Sequence, residues 1–78
     1  VVIRSTDLIH LNLTAQAWPI GTEVRKRYGK KPYRYSQVVG YSFHPVTREV
    51  LIITAPNDDP SDENYHFPHE ICRPGWLG

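Results

Sequence analysis

Two apolar runs either side of a turn signal limit what this chain can fold into. Tyr35 to Phe43 sets Ser36, Val38, Gly40 and Ser42 against Gln37, Val39, Tyr41 and Phe43. That is the period of two expected of a strand with unlike faces. His44-Pro45-Val46-Thr47-Arg48-Glu49 then reads as a hairpin connection, and Val50-Leu51-Ile52-Ile53-Thr54 is β-branched and nearly continuous. A run of that kind suits a strand covered on both faces. Gly40, inside the first strand, marks a bulge or sharp bend of the sort that lets a small sheet close on itself. Seven prolines and five glycines in 78 residues require many turns and short elements, which favours an all-β domain over a helical one.

The remaining chain fits around this hairpin. Ile20 to Arg27 opens with Gly21, which permits a tight turn into the segment, and is anchored by Ile20 and Val24. Tyr28-Gly29-Lys30-Lys31-Pro32 is a loop, because Gly29 tolerates positive φ and Pro32 cannot donate to a ladder. Pro56, Asn57, Asp58, Asp59, Pro60 and Ser61 make an acidic, turn-rich loop. Tyr65-His66-Phe67 resumes as a short strand, Pro68-His69-Glu70-Ile71 reads as one helical turn, and Cys72 to Leu77 as a last strand. The fold expected is all-β: a small SH3-like barrel of four or five short strands, with one helical turn before the last strand. Val24, Val39, Tyr41, Leu51, Ile53 and Ile71 are its expected core.

The barrel is assigned to residues 20–78 and an N-terminal extension to 1–19. In the extension Ile9, Leu11 and Leu13 alternate with His10, Asn12 and Thr14, so an extra strand is the preferred reading. The alternative is a helix capped at Ser5 or Thr6, with Leu8, Leu11 and Ala15 on one face. Pro19 ends the segment either way.

Charge is unevenly spread. Gly21 to Arg48 holds seven basic residues and one acid, while Glu49 to Arg73 holds six acids and one base, although the net charge is only +1. Six of the nine basic residues lie between Arg25 and Arg34. Arg25, Lys26, Arg27, Lys30, Lys31 and Arg34 alternate there with Tyr28, Tyr33 and Tyr35, cations for phosphates beside rings on which unpaired bases stack. These nine residues are the candidate anion-binding and nucleic-acid-binding set of a non-catalytic binding module. A protein-protein interaction domain is a further alternative.

Gly21-Thr22-Glu23-Val24-Arg25-Lys26-Arg27-Tyr28-Gly29, followed by Gln37-Val38-Val39-Gly40-Tyr41, resembles the plasmid-borne type II dihydrofolate reductases over residues 20–43. The resemblance implies a small SH3-like subunit of a homotetramer that binds NADPH and dihydrofolate in one central pore. It puts Lys26 where that family has a lysine contacting the acidic ends of its ligands. The family's pore strand, Val-Gln-Ile-Tyr-Pro, corresponds here to Asn64-Tyr65-His66-Phe67-Pro68, so its glutamine and tyrosine are not retained. Lys26, Tyr65, His66 and Phe67 are thus the alternative, pore-type ligand site, with NADPH as the cofactor only under that alternative.

Other chemistry is not expected. His66, His69 and Cys72 have ligand-type spacing, but an extended segment broken by Pro68 does not bring them together, so no metal site is predicted. No catalytic Ser-His-Asp or Cys-His set is present in convincing form. The acids Asp58, Asp59, Asp62 and Glu63 lack the glycine and spacing of a calcium loop. Cys72 is the single cysteine, which points to a reducing compartment. No apolar run reaches membrane-spanning length, and Val1-Val2-Ile3-Arg4 lacks signal-peptide character. A cytoplasmic homo-oligomer, dimer or tetramer, is the expectation, because a core this small gains from burial between copies.

Overall fold

A computed structural model describes residues 4–27 and 34–75. The chain runs through a helix α1 (Ser5–Ala17), then β1 (Glu23–Lys26), β2 (Ser36–Phe43), β3 (Val50–Pro56), β4 (Asn64–His66), a 3-10 turn (Pro68–Glu70) and β5 (Ile71–Cys72). The strands form one antiparallel five-stranded sheet in the order β4-β3-β2-β1-β5. The strand count, the hairpin between β2 and β3, and the turn before the last strand follow the sequence reading. The sheet itself is open: among the described residues its edges, β4 and β5, do not pair.

The N-terminal segment is a correction. The expected extra strand is helical over Ser5–Ala17, and its cap is Arg4, one residue before Ser5 and two before Thr6. The backbone N–H of Arg4 donates to Asp7 Oδ2 at 2.9 Å, and a carboxylate in the first turn also suits the positive end of the helix dipole. Asp7 is the helix residue buried best, at 6% exposure, and it accepts from Arg48 Nη2 at 2.5 Å. The alternation of Ile9, Leu11 and Leu13 therefore does not report a buried face: Ile9 and Leu13 are exposed and Leu11 is half-buried. A long-range charge pair, which periodicity cannot detect, fixes this segment. Arg73 holds the other end, donating from Nη2 to the Ala17 carbonyl and lying 4.6 Å over the Trp18 ring.

Pro19 ends the helical segment, and a turn follows in which Thr22 N–H donates to Pro19 O at 3.0 Å. Gly21 sits in that turn at φ 93°, a conformation glycine adopts without steric cost. Its N–H donates to Val38 O at 2.8 Å, so the turn leads straight into the β1–β2 ladder.

The core is Val24, Val38, Ile52 and Ile71, each at 1% exposure or less, with Trp18 and Tyr41 packed against it. The expected inward positions are one residue out of register on β3 and at Val39 on β2, while Tyr41 does pack against the core. Val39 is exposed, and Tyr41, Leu51 and Ile53 are only half-buried, whereas Val38, Val50, Ile52 and Thr54 are buried. On β3 the apolar run is continuous, so composition marks neither face; on β2 the reason lies at the predicted irregularity. Val38 pairs with Thr54 but Gly40 with Ile53, so Val39 is the extra residue of a bulge. A bulge inverts which side chains face inward on either side of it. A Cβ built on Gly40 would meet Ile53 Cδ1 at 3.6 Å, an ordinary contact, so the bulge does not depend on this glycine.

Candidate anion-binding cleft

β1 and β5 pair through Arg25 with Cys72 and Lys26 with Ile71, and the Arg27 N–H extends the ladder to Glu70 O at 2.9 Å. On the opposite edge β4 pairs with β3, placing His66 across from Ile52 and Tyr65 across from Ile53. The 3-10 turn joins the two edges. Glu70 closes it by accepting from the Phe67 N–H at Oε1, 2.8 Å, while its own N–H donates to Phe67 O at 2.9 Å. Lys26, Tyr65, His66, His69 and Glu70 are thereby gathered around one open cleft of about 450 Å³.

Three of the four residues of the pore-type set therefore converge: Lys26, Tyr65 and His66. Phe67 lies beside them within a ring column. The His44 and Phe67 ring centres are 5.8 Å apart at 24°, and those of Phe67 and His69 are 5.6 Å apart at 7°. His44 is fixed in place because its Nδ1 accepts from Val46 N at 3.1 Å and Thr47 N at 3.2 Å. Burial holds the His66 pKa below its ordinary 6.5; nearby Glu70 opposes this shift and Lys26 adds to it.

The basic and aromatic set does not stay together. Arg25 is buried at 6% exposure, with Nη1 donating to Lys26 O at 2.9 Å, and Arg27 is half-buried. Arg34 reaches over the acidic loop, 3.6 Å from Asp58 and 3.5 Å from Asp62, while Tyr35 is exposed. Tyr28, Lys30, Lys31 and Tyr33 lie outside the described residues. Of the described cations in the set, Lys26 is the one that lines the cleft.

Cys72 is buried on β5, whereas His66 and His69 line the cleft. Among the described residues no group of His, Cys, Asp and Glu is arranged to hold a metal ion, and no helix is long and apolar enough to cross a membrane. Sequence reasoning missed His44, His69 and Glu70. The available signal was a ring two residues from another ring across a proline-initiated turn. No known family, curated protein or solved structure matches the chain.

Proposed function

We propose that this protein is a non-catalytic binding module for an anionic, ring-bearing partner, single-stranded nucleic acid, held at the cleft around Lys26. The observation that carries this reading is the convergence of Lys26 with Tyr65, His66 and His69 on one open surface. A cation for phosphate beside exposed rings for bases is the chemistry of sequence-tolerant single-strand binding. The capping role of Glu70 engages its carboxylate at the Phe67 N–H, which lessens its opposition to a bound phosphate.

We read the open sheet as the larger part of an SH3-like barrel. Four strand spacings of about 4.8 Å make a flat sheet of this order roughly 19 Å wide from β4 to β5. The connection from His66 to Ile71 contains a 3-10 turn and reaches only about 13 Å. The sheet must curl to let that connection cross between its edges, which brings β1 and β4 to the same cleft.

A second reading is favoured by the identity of the converging residues. Lys26, Tyr65 and His66 stand at the positions where the resemblance to the type II dihydrofolate reductases implies ligand contacts, so a nucleotide cofactor such as NADPH in an oligomeric pore is the alternative occupant. The edges β4 and β5, which have one strand neighbour each among the described residues, suit pairing between copies, giving a dimer or tetramer.

One experiment separates these readings. Anisotropy titrations of a labelled single strand and of NADPH are run at low and moderate salt on wild type and Lys26→Ala, with light scattering alongside. Strand binding that weakens steeply with salt and falls in Lys26→Ala supports the module. NADPH binding by a tetramer supports the second reading. A protein that binds neither at low salt refutes both.

A further inference from the structure

The column His44–Phe67–His69 has no part in the hydrophobic core, yet its geometry is set with care. Phe67 stacks with two imidazoles at near-parallel angles, 24° with His44 and 7° with His69. At one end His44 is locked by the Val46 and Thr47 N–H groups on Nδ1. At the other end His69 is exposed and is itself part of the cleft lining with Lys26. Phe67 and His69 flank Pro68, whose ring fixes φ at the start of the turn, and the Glu70 cap holds Phe67 in place. A stack of rings organised before binding loses little conformational freedom when another ring is added.

We propose that the column is a stacking platform, with the solvent-facing end at His69 receiving a nucleobase while Lys26 takes the adjoining phosphate. This rests on the single-strand reading of the cleft and narrows it: the recognised unit is a base together with its phosphate, not the polyanion alone. A ring-free chain of phosphates engages Lys26 and leaves the column unused.

The test compares a labelled oligothymidylate of about ten nucleotides, a length within the range of small single-strand sites, with an abasic strand of the same length and charge. Both are titrated into wild type, Lys26→Ala, His69→Ala and His69→Phe, with thermal melts to verify folding. His69→Gln gives a second removal of the ring if the alanine variant melts below the assay temperature. The wild type is expected to bind the base-bearing strand roughly tenfold or more tighter than the abasic one, as one stacked base provides. His69→Ala erases that difference without weakening the abasic strand, His69→Phe keeps most of it, and Lys26→Ala weakens both strands alike. Equal wild-type affinity for the two strands, or an equal loss for both in His69→Ala, overturns the platform and leaves the Lys26 cleft standing. Absence of binding to either strand at low salt, or indifference to Lys26→Ala, overturns the cleft reading and the platform with it.

Discussion

The alternation of burial along the continuous apolar run of β3 is testable by two neighbouring substitutions. Ile52 is at 0% exposure in the centre of the core, while Leu51, one residue earlier, is half-buried. Ile52→Ala removes three carbons worth about 0.8 kcal/mol each and leaves a cavity, so about 3 kcal/mol is expected, within the usual range for such truncations. A domain of this size shifts its Tm by roughly 6 °C per kcal/mol, so the midpoint should fall by about 18 °C. Leu51→Ala keeps much of its solvent contact in either state and should cost about 1 kcal/mol, or roughly 6 °C. Total stability for a small domain is itself only about 5 kcal/mol. Ile52→Val, at about 1 kcal/mol, therefore serves as the milder probe. Far-UV circular dichroism during heating and urea titration gives both numbers, with an unchanged urea slope confirming that the denatured state is not what moved. If Leu51→Ala proved the costlier of the two alanine variants, the inward face of β3 would be the opposite one.

The remaining predictions concern the turn, the helix and acid. Gly21→Ala should lower Tm by about 6 °C, because an L side chain at φ 93° costs about 1 kcal/mol; Gly40→Ala should be neutral or slightly stabilising, since the added methyl meets only an ordinary contact. Tyr41→Phe removes the O–H donated to Trp18 O at 2.5 Å and should cost about 1 kcal/mol in the same melts; no change would mean that the bond is not formed in solution. Stability should fall on acidification in two steps. His66 has a folded pKa below 6.5, so its contribution is complete above 6.5 and is lost as pH falls through that lowered value. Asp7, lowered from 3.8 first by the Arg48 hydrogen bond, holds its contribution above 3.8 and loses it at still lower pH. Melts across pH should show the upper step disappear in His66→Gln and the lower one in Asp7→Asn.

Local signals carried the strands well and the helix poorly. β2 and β3 could be read because their side chains alternate and are β-branched, and Pro68 marked the turn before β5. The inward face could not be read, because a bulge of one residue reverses parity and leaves hydrophobic residues on both faces: Val38 and Val39 look alike in composition. The helix failed for a different reason. Its outer residues Leu8, Ile9 and Leu13 are exposed at 50%, 56% and 59%, so apolar periodicity points away from the packed side. What anchors α1 is Asp7 to Arg48 and Ala17 to Arg73, contacts that span 41 and 56 residues. Arg48 carries its side chain from a backbone at φ 62°, in the left-handed region few non-glycine residues occupy. A glycine there would relieve the backbone and lose the pair.

The cleft illustrates the same limit from the side of function. Composition drew attention to the density of charge between Arg25 and Arg34, but density along the chain is not density in space. β-pairing turns Arg25 inward beside Cys72, and Arg34 is spent on Asp58 and Asp62. Lys26, from the middle of the run, instead meets Tyr65 and His66. That meeting follows from chain order: β5 pairs with β1, β4 pairs with β3, and a turn of three residues joins β4 to β5. The residues preceding and forming that turn must then stand beside the end of β1 whatever their identity. Their identity, three aromatic or imidazole rings at Tyr65, His66 and Phe67 and a fourth at His69, is what the proposed site for a ring and a phosphate rests on.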